Sequence, residues 1–226
     1  MEIKPIAHIR TDFGEKFGIP RQSGLCSLLE GKIVFEPEFA KRESVRGLEE
    51  FSHIWLIWQF SKNPPTSSLT VRPPRLGGNK RVGVFASRSP FRPNGLGLSC
   101  VRLKSIEYSS SGEPVINVFG ADLCDKTPIF DIKPYVPLSD CVPDALEGYT
   151  KMTKEHILSV HIPEEKALLL PKNKLAALKE ILQLDPRPGY DDSPEKLYGL
   201  SFAGYNIKFS VKNDVLCVSD IEKIKR

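Results

Sequence analysis

The sequence predicts a mainly β fold, with an antiparallel β-barrel over residues 1–145 and a small α+β domain over residues 146–226. The first part contains many short apolar segments separated by regular turn signals, which favours an antiparallel barrel over a parallel sheet. The second part differs in texture, because an amphipathic helix and a hairpin pattern replace the run of short strands. No internal repeat or low-complexity segment is visible along the chain.

The composition excludes several classes of protein. The 226 residues are 40% hydrophobic and 27% charged, with a net charge of +4, which is ordinary for a globular protein and permits a nucleic-acid partner without requiring one. The five cysteines form no CxxC pair and the four histidines form no HxxxH or HxH pair, which argues against a disulfide framework and a metal site. Because no leader sequence opens the chain and its apolar run at 54–58 is short, we expect a cytoplasmic protein with no membrane contact.

The first part holds six predicted strands and one short predicted helix. In the strands, apolar and β-branched residues alternate or run together, over Ile3–Ile9, Leu25–Phe35, His53–Phe60, Val82–Ala86, Ser99–Tyr108 and Val115–Gly120. Ser44–Phe51 is the helix candidate, and a turn is expected near Glu30–Lys32. The Ser-Ser-Ser-Gly sequence at 109–112 predicts a hairpin loop between the last two strands.

The second part is predicted to contain a helix, a stiff turn and a hairpin. A helix is expected over Asn173–Leu184 and ends before Asp185-Pro186. Its apolar residues share one helical face, namely Leu175, Leu178, Ile181 and Leu182. The prolines of DPRPGY at 185–190 predict the stiff turn, and alternation over Ser201–Val211 and Val215–Ile221 predicts the hairpin around residues 212–214.

A dense basic segment, defined here as residues 71–99, is the most informative stretch of the chain. It reads VRPPRLGGNKRVGVFASRSPFRPNGLGLS, and its cations are Arg72, Arg75, Lys80, Arg81, Arg88 and Arg92. Proline and glycine stiffen the loops on both sides of the apolar run at 82–86, and arginine offers planar donors that suit carboxylate or phosphate. Each arginine alone fits a solvated loop, but the whole set favours a binding site for an anionic ligand.

Five ordered blocks of the chain resemble the TsaA/TrmO family. They are GIPRQSGL at 18–25, VRPPRLGG at 71–78, GVFASRSPFRPNGLGLS at 83–99, GADLCDKTPIFDIKPYVP at 120–137 and DPRPGY at 185–190. The resemblance is collinear and covers nearly the whole chain. It implies a methyltransferase built on an antiparallel β-barrel, which uses S-adenosylmethionine to methylate N6 of N6-threonylcarbamoyladenosine beside the anticodon of tRNA. It also implies a homodimer.

The resemblance implies a set of residues that bind S-adenosylmethionine. They are Pro20, Arg21, Gln22, Phe60, Ser61, Arg88, Leu98, Thr127, Pro128, Ile129 and Phe130. Arg88 is expected to clamp a polar group, and the loop at 127–130 offers backbone hydrogen bonds and an apolar face for adenine. Taken alone, residues 20–22 are also typical of an ordinary turn and Leu98 of a core. The chain departs from the family at Phe60, where a histidine is common.

Three polar residues next to this loop are the catalytic candidates. Asp131, Lys133 and Tyr135 alternate, so an extended backbone places them on one face. Asp131 is the candidate base, with Tyr135 next, and Lys133 is suited to the threonyl carboxylate of the modified base. A salt-linked surface strand explains the same three residues equally well, and so does catalysis by positioning alone.

The remaining candidates concern tRNA. Arg72, Arg75, Arg81 and Arg92 are the expected phosphate contacts. Trp55 and Trp58 are suited to stacking on bases, although aromatic residues in so apolar a run are more often core residues. The segment at 185–190 either contacts tRNA or fixes the small domain on the barrel. Two rival functions stay open here: a non-catalytic RNA-binding barrel, and a methyltransferase that acts on a small molecule or a protein.

Overall fold

The computed structural model of this chain describes residues 2–64, 66, 68–76, 80–152, 157–188, 193 and 196–224. Its strands are β1 Ala7–Thr11, β2 Glu30–Phe35, β3 His53–Gln59, β4 Thr70–Val71, β5 Val82–Gly83, β6 Leu96–Tyr108, β7 Pro114–Phe119, β8 Pro128–Pro134, β9 Ser159–His161, β10 Tyr198–Phe202, β11 Tyr205–Lys212 and β12 Val215–Lys223. Its α-helices are α1 Pro137–Asp140, α2 Glu164–Ala167 and α3 Lys172–Gln183.

Six strands close into the predicted barrel. Their order is β1-β2-β7-β6-β3-β8, and each neighbouring pair is antiparallel. Successive side chains of a strand point to opposite faces, so β3 buries Ile54, Leu56 and Trp58 inside the barrel and leaves Trp55 and Ile57 on its outer face. The prediction of an antiparallel barrel is therefore confirmed, and its outer face is available to build a site.

The C-terminal part is the predicted small α+β unit. Its sheet has the order β10-β11-β12-β9, and β9 lies parallel to β12. The predicted helix is confirmed as α3, which buries one apolar face consisting of Ala177, Leu178, Ile181 and Leu182 in the same core as the sheet. The predicted hairpin around residues 212–214 is confirmed as β11 and β12. Its first strand begins later than predicted, because Ala203 and Gly204 adopt positive φ angles of 52° and 81° and turn the chain between β10 and β11.

Two elements outside the barrel sheet differ from the prediction, and one of them includes β5, which pairs only with β4 among the described strands. The strand predicted over Val82–Ala86 is wrong beyond Gly83, because a 3-10 turn over Val84–Ala86 follows β5. This turn buries Val84 and leaves Phe85 77% exposed. The helix predicted over Ser44–Phe51 is also wrong, since two 3-10 turns occur there and Gly47, with a φ of 82°, separates them.

Other predicted strands are confirmed with shifted ends. β3, β6 and β7 occupy the segments predicted for them, and the loop at 109–112 joins β6 to β7. The first two strands begin later than predicted, at Ala7 and Glu30. The turn expected near Glu30–Lys32 is wrong, because these residues pair with Phe119–Asn117 of β7 inside the barrel sheet.

The connection from β1 to β2, residues 12–29, joins the two units. Phe13, Cys26 and Leu29 from this connection are buried in the core of the C-terminal sheet and α3 rather than in the barrel. The predicted division into 1–145 and 146–226 therefore places three residues of the second core on the barrel side of the boundary.

The segment at 185–188 has a structural ion pair. The guanidinium of Arg187 is buried and donates hydrogen bonds of 2.8 Å to both carboxylate oxygens of Asp185. Gly189 and Tyr190 lie outside the described residues, and the expected tRNA contact of this segment stays a prediction. None of the helices in the described ranges is both long and apolar enough to cross a membrane.

Candidate active site

A cavity of about 600 Å³ opens at one end of the barrel. It lies where β3 ends and β6 begins, and the connection from β7 to β8 passes through its wall. The loop at 19–22 closes a second side, and the loop at 87–92 of the basic segment closes a third. The cavity therefore gathers segments that are far apart in the sequence.

One wall of the cavity is apolar and comes from the barrel strands. Ile57 of β3 and Leu98 of β6 are direct partners on the outer face, and Leu98 is 57% exposed towards this space. The indole of Trp58 lies against Gly97, where a Cβ would come within 2.4 Å of the ring. Phe60 packs edge-on against Trp58, with ring centroids 4.3 Å apart. This wall suits a flat aromatic ligand.

A half-buried carboxylate, that of Asp122, faces the cavity at the end of a hydrogen-bonded chain. Trp58 Nε1 donates to Ser99 Oγ at 2.9 Å, and Ser99 Oγ donates to Asp122 Oδ1 at 2.6 Å. Burial raises the pKa of Asp122, and the Ser99 hydrogen bond and the Arg88 charge oppose that rise. The sequence analysis missed Asp122. Its signal was a carboxylate between two buried apolar residues, Ala121 and Leu123, inside a matching block.

Two predicted cofactor residues meet across the mouth of the cavity. An Arg88 guanidinium nitrogen donates to Gln22 Oε1, although the two residues are 66 positions apart in the sequence. Arg92 stiffens the same loop, because its guanidinium donates to the carbonyl oxygens of Ser87 and Ser89 at 3.1 and 3.4 Å. The loop at 87–92 is thus held in place by its own arginine and linked to the loop at 19–22.

Eight of the predicted cofactor residues line the cavity, namely Pro20, Arg21, Gln22, Phe60, Ser61, Arg88, Leu98 and Thr127. The other three begin β8 and are not among the lining residues. Ile129 is fully buried in the barrel core and its carbonyl accepts from Ile6 N at 2.8 Å. The Ile129 side chain points inwards because the register shift between β3 and β8 pairs Ile129 with the buried Trp58, whereas Asp131 pairs with Ile57 on the outer face. A cofactor contact by Ile129 stays a prediction. Contacts by Pro128 and Phe130 stay predictions.

Two of the catalytic candidates, Asp131 and Lys133, lie on the outer face of β8 beside the cavity, and Tyr135 directly follows the strand. Asp131 is the direct partner of Ile57, and Lys133 is the direct partner of Trp55. The Tyr135 ring lies 5.9 Å from the Trp55 ring. Lys133 Nζ and Asp131 Oδ2 form an ion pair at 2.9 Å. The structure thus brings the three residues to one face but outside the cavity lining, and their catalytic role stays a prediction.

The residues predicted for tRNA differ in their surroundings. Arg72 and Arg81 are exposed, and Arg81 donates to Thr70 Oγ1 at 2.9 Å. The Arg75 side chain lies outside the described residues. Trp55 and Trp58 both line the cavity, but Trp58 is buried and belongs to the barrel core, whereas Trp55 is half-buried and donates to Asp140 Oδ2 at 2.9 Å. Stacking of Trp58 on a base is therefore excluded by its burial.

Two lysines add positive charge to the cavity rim. Lys16 and Lys62 both line the cavity. Lys16 Nζ donates to the Lys62 carbonyl at 3.2 Å, and Lys62 Nζ donates to the Gly14 carbonyl. With Arg21, Arg88 and Arg92 they make a cationic rim around the half-buried carboxylate of Asp122. Within the described ranges, no three His, Cys, Asp or Glu side chains are grouped so as to hold a metal ion.

Comparison with known families assigns the chain. A model of the tRNA-methyltransferase O N-terminal domain matches residues 8–141, and a model of the TrmO C-terminal domain matches residues 158–224. The chain belongs to the tRNA-methyltransferase O family. The match covers both the barrel and the small α+β unit.

Individual TrmO relatives match along nearly their whole length. The chain is 37% identical over 219 residues to a tRNA (adenine(37)-N6)-methyltransferase of Escherichia coli K12, covering 93% of each protein. It is 37% identical over 229 residues to a putative S-adenosylmethionine-dependent methyltransferase of Pseudomonas aeruginosa, covering 97% of this chain and 96% of that protein. A crystal structure of TrmO from Pseudomonas aeruginosa superimposes with a TM-score of 0.79 at 32% identity, covering 98% of each chain.

Proposed function

We propose that this protein transfers a methyl group from S-adenosylmethionine to N6 of the adenine at position 37 of tRNA, with N6-threonylcarbamoyladenosine as the acceptor. The cavity at the barrel end carries the proposal, because eight residues inferred from the resemblance line it together. The named relatives support the reaction class, since they are methyltransferases. Nothing comparable favours a non-catalytic RNA-binding barrel.

The cavity residues fit S-adenosylmethionine. The cavity volume of about 600 Å³ lies within the usual range of about 300–1,000 Å³ for small-molecule sites. Arg21 and Arg88 suit the methionyl carboxylate, and the half-buried carboxylate of Asp122 suits a cation or a hydroxyl donor. The half-buried Ile57 and Phe60 and the exposed Leu98 suit the adenine ring, and the buried Trp58 packs against Phe60. The charged and apolar side chains that line the cavity therefore match the charges and the shape of the cofactor.

The contribution of the chain is mainly orientation. When bound, S-adenosylmethionine supplies an electrophilic methyl group on a sulfonium. The Arg88–Gln22 hydrogen bond and the Arg92–carbonyl bonds hold two cavity walls in a fixed relation. Holding two reactants in line contributes roughly 7–11 kcal/mol in well-oriented systems. Asp131 is the candidate acceptor for the proton of the acceptor N–H, and Lys133 is the candidate partner for the threonyl carboxylate.

Nucleoside analysis tests the proposed function. Cells that lack the gene should contain tRNA without the N6-methyl derivative of N6-threonylcarbamoyladenosine, and complementation should restore it. Calorimetric titration of the pure protein should show uptake of S-adenosylmethionine. Unchanged tRNA nucleosides would favour a methyltransferase with a small-molecule or protein substrate, whereas absence of uptake would favour a non-catalytic RNA binder.

A homodimer belongs to the same proposal. The segment at 136–146 exposes several apolar side chains, with Leu138 at 96%, Val142 at 65% and Leu146 at 99%. Contiguous exposed apolar surface is typical of an interface, and this segment is ordered against the barrel by the Trp55–Asp140 hydrogen bond. Light scattering should give twice the chain mass of 25.3 kDa. A single chain mass at micromolar concentration would contradict the dimer.

The cytoplasm is the expected compartment. The substrate proposed here is tRNA, and the five cysteines are all free, as is usual where thiols remain reduced. Fluorescence microscopy of a tagged full-length chain should show a signal spread through the cytoplasm.

A further inference from the structure

The connection at 12–29 turns one side towards the C-terminal core and the other towards the cavity. Phe13, Cys26 and Leu29 are buried in that core, and the rings of Phe13 and Phe202 lie 5.3 Å apart. Two further side chains pack partly buried against the same core, Phe17 and Ile19. The residues that follow, Pro20 to Gln22, line the cavity. One connection therefore links the two units to the site.

Polar contacts tie both ends of this connection to the C-terminal unit. At the first end, Lys174 of α3 pairs with Asp12 Oδ2 at 2.6 Å, and Ala203 N donates to the Asp12 carbonyl at 3.0 Å. At the second end, Leu28 N donates to Glu180 Oε2 at 2.9 Å. Helix α3 thus holds the connection at two places.

Between these ties, the backbone of the connection rests directly on a buried leucine. Gly18 has a φ of +83°, and a Cβ there would lie 2.1 Å from Leu200 Cδ1. Leu200 belongs to β10 and is fully buried. Such a close approach requires glycine, because any other residue would need both a left-handed backbone and space that Leu200 occupies. Gly18 is followed directly by Ile19 and Pro20, which both line the cavity.

We propose that the C-terminal unit is the support on which the cofactor loop is built, and that Leu200 is a positioning residue acting through Gly18 on residues 19–22. The inference rests on the proposed function, since these residues line the pocket assigned to S-adenosylmethionine. A loop that must be ordered on binding costs part of the binding free energy, and a preformed loop avoids that cost. The second unit therefore contributes to cofactor affinity without touching the cofactor.

A matched pair of leucine variants tests this role. Leu200→Ala should weaken S-adenosylmethionine binding about tenfold by calorimetry, because the loop loses its backing and must be ordered on binding. Leu216→Ala removes an equally buried leucine of the same core, in β12, and should change the dissociation constant by less than about twofold. Leu200→Met should restore most of the affinity, since it refills the space behind Gly18. Equal effects of the two alanine variants would overturn the proposal.

A second pair covers the case in which the leucine variants do not fold. Lys174→Met breaks the ion pair with Asp12, whereas Lys166→Met breaks a similar pair with Asp220 at 2.9 Å in the same unit but away from the connection. Both lysines are half-buried, so their cost to folding should be similar. Lys174→Met should weaken binding about threefold and Lys166→Met should leave it unchanged. Equal dissociation constants would contradict the support role.

Hydrogen exchange separates failure of this inference from failure of the proposed function. In the ligand-free protein, Leu200→Ala should accelerate exchange of the amides in residues 18–23 more than Leu216→Ala does, because local opening of the loop becomes easier. This readout does not depend on any cofactor. A wild-type protein that binds no S-adenosylmethionine contradicts the proposed function alone, whereas equal exchange in both variants contradicts the support role alone.

Discussion

At the scale of single residues, the cavity depends on polar groups that meet only after folding. Arg88 donates to Gln22, and Asp122 accepts from Ser99 while facing the same space. A guanidinium and a half-buried carboxylate that line one cavity match the two opposite charges of a methionyl group. Each of these two residues gives a separate prediction.

Arg88→Ala should raise the dissociation constant for S-adenosylmethionine at least about tenfold, as expected when a charged hydrogen bond is lost. The same change frees Gln22, so the loop at 19–22 loses its link across the mouth of the cavity. Isothermal titration measures the effect. Arg81→Ala is the matched control, because Arg81 belongs to the same basic segment but donates to Thr70 and does not line the cavity. Parental affinity in a folded Arg88 variant would remove Arg88 from the site.

Asp122→Asn should weaken S-adenosylmethionine binding about tenfold, because the variant cannot carry the charge that attracts a cation. In the parent protein the affinity should fall on acidification, once the carboxylate becomes neutral. Burial raises the pKa of Asp122, so this fall should begin at a higher pH than for an ordinary aspartate near about 3.9. Calorimetry across a pH series measures it, and the Asn variant should lack this pH-dependent step.

Asp122→Asn should weaken cofactor binding but should not lower the free energy of unfolding. Because the pKa of Asp122 is higher in the folded than in the unfolded state, its ionisation lowers the free energy of unfolding as the pH rises through that interval. Asp122→Asn removes this cost and should unfold at the parental temperature or above it at neutral pH. Asp125→Asn, in the same connection but paired with Arg10, should keep parental cofactor affinity. A destabilised Asp122 variant would show that the carboxylate is structural.

At the scale of elements, the alternation of apolar and polar residues predicted strands of the barrel. It did not predict the apolar turn at 84–86. β3 and β6 were predictable because their residues alternate between a buried and an outer face. The run at 82–86 has no such alternation, and five apolar residues in a row are compatible with either a strand or a buried turn. The structure uses Val84 as an anchor and exposes Phe85. Which of these occurs depends on packing partners that lie elsewhere in the sequence.

The outer face of β8 carries Asp131, the candidate base for methyl transfer. Asp131 flanks Ile57, which lines the cavity, and is paired with Lys133. If the carboxylate accepts the proton of the acceptor nitrogen, Asp131→Asn should lower the single-turnover methylation rate about a hundredfold, the usual scale for loss of a general base. Binding of tRNA and of S-adenosylmethionine should stay near parental values, because asparagine keeps the shape. A parental rate would leave positioning as the source of the acceleration.

At the scale of the whole molecule, the resemblance located most of the cavity but not its support. Residues 20–22 and Arg88 were identifiable because they lie within sequence blocks that resemble the family. Asp122, Lys16 and Lys62 were not, since a lone carboxylate or lysine becomes a site residue only when the fold places it at a cavity. The burial of Phe13 and Leu29 in the C-terminal core was equally unpredictable, because an apolar residue in the sequence does not specify which core it joins.

The distribution of cations over the whole molecule predicts how tRNA binding depends on salt. Arg72 is exposed on the basic segment, whereas the guanidinium of Arg92 is engaged by the carbonyls of its own loop. Arg72→Ala should raise the Michaelis constant for tRNA and lower the slope of log affinity against log salt by about 0.7–0.9, the value for one released counterion. Its cofactor affinity should stay parental, while Arg92→Ala should lower cofactor affinity through the loop at 87–92. Lys212→Ala, which removes an exposed cation at the last position of β11, is the control that should leave the salt slope unchanged. Equal slopes for the Arg72 variant and the parent would place the tRNA backbone on another face of the protein.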